Sequence, residues 1–275
     1  MRRTPAVAGT FYPADPEELL RTIQHLFNST GPSPRSDLVA VISPHAGYPY
    51  AGRPQAVAIG SLPKETEIVI LLGPSHYFPL RHLAVDLREE WRTPLGDVEI
   101  DQEWGRALLE GSEDFVEGAE YHDPEHSLEV LVPWLQVHLS EFQIVPILVG
   151  ALERNAFRRA GESLAQRLLQ ESRPWVLVTS SDLYHGYSYE EGREMDQKTL
   201  EVILQRDMST LLEDHHRGTI MACGIHPIAL LLATLETLGI QQGEVLEYTN
   251  SLDVLGTRVG YFVGYAAVGF FRHGA

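Results

Sequence analysis

Short apolar runs alternate along the chain with longer stretches in which apolar residues recur every three or four positions. The short runs are rich in valine, isoleucine and leucine, which is typical of strands covered on both faces. They lie at residues 38–42, 67–72, 83–87, 144–149, 175–179 and 259–271, the last being long enough for one or two strands. This alternation predicts an α/β fold with a central, largely parallel or mixed sheet flanked by helices.

An acidic residue followed by proline marks the start of two predicted helices, at Asp15 and at Asp123. The first helix should run to about residue 27. The second covers 127–139, and Pro133 inside it should kink or split it because proline removes an intrahelical hydrogen bond. Apolar residues at helical spacing predict three further helices, at residues 155–170, 190–205 and 228–238.

Composition narrows the classes of function. The 275 residues include 21 Lys+Arg and 38 Asp+Glu, which gives a formal net charge of −17 at pH 7. Such an anionic surface repels phosphate backbones and anionic lipid, so we expect neutral, cationic or metallic partners and neither nucleic acid nor membrane. The chain has no internal repeat, low-complexity tract or long linker, so residues 1–275 are expected to form one domain.

The termini and the cysteine content favour a cytoplasmic protein. Arg2 and Arg3 are not followed by an apolar stretch long enough for a signal peptide. The apolar run at 259–271 is well short of the roughly 20 residues that cross a bilayer. Cys223 is the one cysteine, so no intrachain disulfide can form, which favours a reducing compartment.

Three of the predicted strands run directly into polar loops that carry histidine. These loops contain His45, then His76, then the pair Asp182 and His185. Ligands of open α/β sheets bind beyond the carboxyl ends of the strands, so parallel strands would bring these side chains to one rim. A single loop histidine is usually solvated or hydrogen-bonded, but the repeated context favours a shared metal or catalytic site.

Cys223 is a candidate third ligand of that site. It lies just before a predicted helix whose first turn is expected at Pro227. The free N–H groups at a helix N-terminus favour the thiolate and should lower the thiol pKa. The alternative is a buried, inert cysteine, since free cysteine is among the most buried residue types.

His126 is a further candidate for contact with substrate or for general base catalysis. It lies four residues after His122, but Pro124 interrupts the helix between them, so the two need not share a face. The tyrosines near the histidine loops form either a pocket wall or ordinary aromatic packing: Tyr48, Tyr50, Tyr77 and Tyr184. Other histidines have no chemical context: His25, His82, His138 and His273, with His215 and His216 on an acidic, exposed stretch.

Seven motifs occur in a fixed order along the chain. They are Ser-Pro-His-Ala-Gly-Tyr at 43–48 with Tyr-Ala-Gly at 50–52, Leu-Gly-Pro-Ser-His at 72–76, Arg-Thr-Pro-Leu-Gly at 92–96, Glu-His-Ser-Leu-Glu at 125–129, Pro-Ile-Leu-Val-Gly at 146–150, Ser-Ser-Asp at 180–182 with His185, and Cys-Gly-Ile-His-Pro at 223–227. Together, from about Thr4 to the C-terminus, they resemble the Memo-like family.

The resemblance implies a single α/β domain similar to the catalytic subunit of class III extradiol ring-cleavage dioxygenases, with a metal cleft at one edge of the sheet. It implies that the metal ligands are His45, His76 and Cys223. The same cleft would be lined by Asp182, His185 and His126. Proteins of this family in bacteria and archaea often occur with radical-SAM and AMMECR-type proteins, which are therefore candidate partners.

The third ligand separates this chain from the dioxygenases. Those enzymes hold Fe(II) with two histidines and a carboxylate, whereas the resemblance implies a thiolate here, so ring cleavage is not expected to carry over. Two imidazoles and a thiolate suit iron or copper, with zinc as a further candidate.

Three functions stay open on the sequence. The first is a metal-dependent oxidoreductase or dioxygenase-like protein, with Asp182 and His185 or His126 moving protons. The second is a binding module that holds a small molecule, a peptide or a partner protein in the same cleft without turnover. The third is a metal-free hydrolase with Cys223 as nucleophile and a histidine as its base.

Overall fold

A nine-stranded mixed sheet lies at the centre of the computed structural model, which describes residues 1–272. Residues 273–275, His273 among them, lie outside the described residues. The strands are β1 Arg2–Arg3, β2 Leu38–Ser43, β3 Ile68–Pro74, β4 Leu83–Val85, β5 Glu90–Thr93, β6 Gly96–Glu99, β7 Phe115–Glu117, β8 Gln143–Val149, β9 Trp175–Ser180, β10 His185–Gly186, β11 Gln242–Asn250 and β12 Phe262–Phe271.

Helices cover the sheet and fill the crossovers between its strands. They are α1 Pro16–Thr30, α2 Tyr48–Gly60, α3 Gln102–Gly111, α4 Ala119–His122, α5 Val132–His138, α6 Arg154–Gln170, α7 Tyr189–Gln205, α8 Met208–His216, α9 Ile225–Thr237 and α10 Ser251–Val254, with a 3-10 turn at Glu129–Leu131. Within residues 1–272, no helix is long and apolar enough to cross a membrane.

The strand order of the main sheet is β10-β12-β2-β9-β3-β8-β4-β7, and β11 pairs with β12. The four central strands β2, β9, β3 and β8 are parallel. β12 runs antiparallel to β2, and β4 runs antiparallel to β8. A small second sheet joins β1, β5 and β6. The predicted single-domain α/β fold is confirmed, and the sheet is mixed because antiparallel strands flank its parallel centre.

Both faces of the sheet are packed against helices. In β3, Ile68, Ile70 and Leu72 belong to one hydrophobic cluster, whereas Val69 and Leu71 belong to the cluster on the opposite face. All five side chains are buried. Side chains alternate between the faces of a strand, so an unbroken apolar run is what a doubly covered strand requires.

The predicted helices are present, with shifted ends. α1 extends past residue 27 to Thr30, and its N-cap Asp15 accepts from the backbone N–H of Glu18. Pro133 splits the second helix as expected: it lies in the first turn of α5, after the 3-10 turn. α9 begins at Ile225 rather than at Pro227.

Two strand predictions were too long. The strand predicted at 83–87 ends at Val85. The segment predicted at 259–271 as one or two strands forms one, β12, which begins only at Phe262; Val259 lies in the preceding loop with 85% of its surface exposed.

Several elements had no strong apolar signal and were not predicted. α2 contains Pro49 and Pro54, which normally argue against a helix. β11 is a half-exposed strand with charged residues, so its pattern does not stand out from a loop. The other elements that were not predicted are α3, α4, α8, α10, β1, β5, β6, β7 and β10.

Candidate metal centre

The carboxyl ends of three neighbouring strands meet at one edge of the sheet. β2, β9 and β3 are adjacent and parallel, and Ser43 at the end of β2 lies opposite Ser180 at the end of β9. The loops that follow these strands therefore begin side by side, as the order of the elements predicts. They bring together His45, His76 and Asp182.

His45 is buried, and the hydrogen-bond network assigns its tautomer. Ser180 Oγ donates its one proton to the carbonyl oxygen of Ser127 at 2.6 Å. It therefore accepts a hydrogen bond from Nδ1–H of His45, and the two heavy atoms lie 2.5 Å apart. Burial lowers the pKa of His45 well below its usual value, so the ring is neutral. Nε2 consequently keeps its lone pair.

His76 is oriented in the same way by Glu125. One carboxylate oxygen accepts from the backbone N–H of His76 at 2.6 Å, and the other lies 2.9 Å from Nδ1 of the ring. Burial alone would raise the pKa of Glu125, but the bonds from His76 and Ser127 outweigh it and lower the pKa to about 2. An ionised carboxylate only accepts, so Nδ1 of His76 carries a proton and donates it in this bond, and Nε2 is the ring nitrogen that points elsewhere.

His126 packs against both of these histidines. Its ring is stacked on that of His76 with centroids 4.7 Å apart, and it meets the ring of His45 edge-on at 5.5 Å. Nδ1 of His126 is buried and, within the described residues, has no hydrogen-bond partner. Burial lowers the pKa of His126, so this nitrogen belongs to a neutral ring that can act as a base or ligand.

Cys223 lies two residues before α9 and next to His45. Its Sγ is 3.3 Å from Nε2 of His45 and accepts from the backbone N–H of Asp182 at 3.1 Å. The pKa of Cys223 is raised, by burial and by the Asp182 carboxylate, so the expected lowering was wrong for the metal-free protein. The nearest N–H at the start of α9, that of Gly224, donates to Ser181 Oγ instead of to sulfur.

Asp182 is buried between the His45 loop and Cys223. Its Oδ1 accepts from the backbone N–H groups of His45 and Ala46, and Oδ2 lies 3.9 Å from Nε2 of His45. Burial raises the pKa of Asp182 to about 7, although those two N–H donors act in the opposite direction. Such a carboxyl can hold or release a proton near neutral pH.

Two groups of potential ligand atoms share His45. The atoms of His45, His76 and His126 lie within 4.8 Å of one another, and so do those of His45, Asp182 and Cys223. Among residues 1–272, no such group contains both His76 and Cys223. The site therefore consists of two overlapping groups of potential ligands that share His45.

His185 lies beside this cluster and outside both groups. It opens β10, and burial lowers its pKa, with a smaller contribution from His76. Its Nε2 is buried without a hydrogen-bond partner in the described part of the chain. The structure thus leaves a neutral imidazole nitrogen available beside the cluster.

The tyrosines divide between core and surface. Tyr48 donates to the carbonyl oxygen of Val130 and belongs to the core, and Tyr184 is buried against Phe262, so both are explained by packing. Tyr77 and Tyr50 are exposed, and the ring of Tyr77 lies 6.3 Å from that of His126. The buried histidine at position 122 bonds to the carbonyl oxygen of Ala84 and does not join the cluster.

Sequence reasoning missed three residues that shape the site. Glu125 was part of a helix start and Ser180 the end of a strand, and neither position signals that it orients a histidine ring. Tyr265 lies within the apolar run of β12, and the Asp182 carboxylate adds to burial in raising its pKa. The motif at 125–129 was the one available signal for Glu125.

Comparison with known proteins agrees with the motifs. The family model for Memo-like proteins matches residues 3–269. The chain belongs to the Memo-like family. A MEMO1 family protein of Methanopyrus kandleri is 35% identical over 99% of this chain and 100% of its own length. A MEMO1 family protein of Aeropyrum pernix is 38% identical over 97% of this chain and 98% of its own.

A solved structure shares the fold at much lower sequence identity. An uncharacterized protein of Escherichia coli K12 superimposes with a TM-score of 0.53 and 15% identity, covering 84% of this chain and 99% of its own. At that identity the likeness supports the α/β architecture alone. Within the described residues of this Memo-like family member, the cluster described above contains groups of side chains that could hold a metal ion.

Proposed function

We propose that this Memo-like protein is a metal-dependent redox protein that binds iron or copper, or zinc as a third candidate, through His45, His76 and Cys223. The observation that carries the proposal is the shared state of the two imidazoles. Each ring donates Nδ1–H to a fixed protein acceptor, so Nε2 is the ring nitrogen that faces away from that acceptor and can bind a metal. Metal-binding histidines have this arrangement because the second acceptor fixes the tautomer and increases the basicity of the ligand nitrogen.

The distance from His45 to Cys223 also supports a shared metal. A tetrahedral ion with bonds of about 2.3 Å to sulfur and about 2.0 Å to nitrogen holds the two ligand atoms about 3.5 Å apart. The Sγ of Cys223 and Nε2 of His45 are 3.3 Å apart. The cation would also replace the proton on the buried thiol, because a bound metal ion strongly favours the thiolate.

His126 is the competing third ligand, since its ring atoms group with those of His45 and His76. In that case Cys223 and Asp182 would lie beside the metal and take no part in binding it. The two ligand sets differ in softness: three imidazoles suit zinc or copper, whereas a thiolate adds affinity for Cu(I) and for iron.

A bound redox metal would supply electron transfer at the open end of the cleft. The side chains around it would handle protons. The carboxyl of Asp182, with a pKa of about 7, can hold a proton, and one of its oxygens lies within 4.8 Å of the sulfur of Cys223. His185 and His126 each offer a buried ring nitrogen without a protein partner among residues 1–272, and we propose that they accept protons from a bound substrate.

The test is elemental analysis of protein purified anaerobically with added iron or copper. We expect stoichiometric metal in the natural protein and in the control His25→Ala, which alters an exposed histidine of α1. His76→Ala and Cys223→Ser should lose the metal. If Cys223→Ser keeps the metal and His126→Ala loses it, His126 is the third ligand. If both His76→Ala and Cys223→Ser keep the full amount of metal, the proposed metal site is refuted.

A binding module is the second candidate function, supported by exposed aromatic rings at the cleft. Tyr261 lies 6.2 Å from His185 and 5.0 Å from Tyr187, measured between ring centroids, and both tyrosines are exposed. Such rings suit a peptide or small-molecule ligand, and radical-SAM and AMMECR-type proteins are the partners to try first. For this function, Tyr261→Ala should weaken partner binding in a pull-down, whereas Cys223→Ser should not.

A further inference from the structure

A buried arginine ties the N-terminus of the chain to the loop behind the metal centre. Arg3 Nε donates to the carbonyl oxygen of His122 at 2.7 Å, and one Nη donates to that of Glu125 at 2.6 Å and more weakly to that of Asp123. The other Nη lies 2.7 Å from a carboxylate oxygen of Glu129. Both charged side chains are fully buried, so this ion pair has no access to solvent.

Glu129 in turn forms hydrogen bonds with residues that follow Arg3 in the chain. Its carboxylate accepts from the backbone N–H groups of Ala6 and Val7, at 2.7 and 2.9 Å, and from the hydroxyl of Tyr12 at 2.7 Å. Its two oxygens therefore accept three hydrogen bonds and also meet the guanidinium of Arg3 in an ion pair, although Nη1 of Arg3 makes no hydrogen bond with good geometry in the described part of the chain. Buried pairs contribute little net stability, and one use of them is to specify a single geometry.

Both Arg3 and the N-terminal segment that follows it contact residues that orient the metal ligands or lie beside them. Arg3 binds the carbonyl oxygen of Glu125, whose carboxylate holds the ring of His76. The ring of Phe11, on the same N-terminal segment, lies 4.7 Å from the ring of His126. The carbonyl oxygen of Phe11 also accepts from the backbone N–H of Tyr48, just after the His45 loop.

We infer that Arg3 and Glu129 are positioning residues for the metal centre: they fix the backbone at Glu125, and thereby the tautomer and direction of the His76 ring. The inference rests on the proposed metal site. A small displacement of Glu125 would lengthen both of its bonds to His76 and free the ring to rotate. Partners that orient metal-binding histidines are typically worth about 10–100-fold in affinity.

Arg3→Lys is the informative variant. Lysine keeps a positive charge opposite Glu129, but a single ammonium cannot reach the carbonyl oxygens of residues 122 and 125 together as the guanidinium fork does. Co²⁺ alone is the probe, titrated anaerobically and followed by its absorption spectrum. We expect Arg3→Lys to bind Co²⁺ about tenfold more weakly. The matched control Arg2→Lys, on the exposed neighbour in β1, should bind as the natural protein does.

A double-mutant cycle separates positioning from general loosening of the fold. If Arg3 acts through Glu125, the variant Arg3→Lys should cost less than about twofold in a protein that already carries Glu125→Gln. Full additivity of the two losses would overturn the inference. So would an Arg3→Lys protein that binds Co²⁺ with unchanged affinity.

A second measurement needs no metal. Nitrogen-15 NMR of the metal-free protein should show His76 protonated at Nδ1 in the natural chain and a mixture of tautomers in Arg3→Lys. If the natural protein fails to bind Co²⁺, the proposed function fails, and the tautomer still decides the inference: an unchanged His76 signal in Arg3→Lys overturns it. Should Arg3→Lys not fold, Tyr12→Phe removes a single bond to Glu129, and an unchanged His76 tautomer in that variant likewise overturns the inference.

Discussion

Replacing Glu125 by glutamine should weaken metal binding while leaving the fold intact. The carboxylate accepts four hydrogen bonds, from the backbone N–H and Nδ1–H of His76 and from the backbone N–H groups of His126 and Ser127. Three of these go to Oε1 and one, at 2.6 Å, to Oε2. Glutamine has one acceptor oxygen, so its best orientation keeps the three bonds and turns its NH₂ toward the backbone N–H of His76.

That orientation sets the size of the effect. One buried N–H is left unpaired, which costs about 1–3 kcal/mol of folding free energy. The Nδ1–H of His76 then donates to a neutral amide oxygen instead of a carboxylate, so Nε2 becomes a poorer ligand. Loss of such a carboxylate partner lowers metal affinity by about 10–100-fold, or about 1.4–2.8 kcal/mol.

The assay is a Co²⁺ titration beside urea unfolding of the metal-free protein. The control is Asp101→Asn, which alters a buried carboxylate that caps α3 beside the start of β8, at the opposite end of the sheet. It should unfold somewhat more easily and bind Co²⁺ normally. A folded Glu125→Gln protein with the affinity of the natural chain would show that Glu125 does not orient a ligand.

Three further predictions concern stability and reactivity. Burial raises the pKa of Asp196 from 3.8 to about 7, so the stability associated with its neutral form is present below about pH 4 and is lost as pH rises toward 7, by up to about 4 kcal/mol. The variant Asp196→Asn should remove this pH dependence of the free energy of unfolding, measured with urea at pH 5 and pH 8. An unchanged pH slope in that variant would contradict the prediction. A Cβ at Gly224 would lie 2.4 Å from the carbonyl oxygen of Ser180, so Gly224→Ala should destabilise the protein by about 1–3 kcal/mol in the same assay and displace Cys223. Normal stability of this variant would mean that the loop after β9 and the segment before α9 move apart freely. Because the pKa of Cys223 is raised, a thiol reagent should label it slowly at pH 7 and more slowly still with Co²⁺ bound; rapid labelling that metal does not slow would instead favour the nucleophile of a hydrolase.

The strand-end loops show how far reasoning from the sequence extends. His45 and His76 follow apolar runs, and the rule that ligands bind beyond the carboxyl ends of parallel strands predicted that they would meet. That prediction needs only the strand order, which the alternation of runs and helices restricts strongly. Cys223 was a candidate third ligand from its place before a predicted helix, and the family resemblance implied the same role; its Sγ lies next to His45.

The protonation of the thiol shows where such reasoning stops. Proximity to a helix start predicted a lowered pKa for Cys223. In the folded protein the N–H of Gly224, the N-cap of α9, donates to Ser181, and the buried carboxylate of Asp182 lies within 4.8 Å of the sulfur. Burial and neighbouring charge depend on chain segments that are remote in sequence, so no local pattern reports them.

The sequence by itself determined the α/β architecture, the parallel strands at the centre of the sheet and the loops that carry the histidines, because apolar periodicity and helix caps are local signals. Only the tertiary structure decided which side chains orient the rings of His45 and His76. Glu125 orients His76 from 49 positions away, and Ser180 orients His45 from 135. Hydrogen bonds over such separations follow from packing, which also buried Arg3 against Glu129 behind the site.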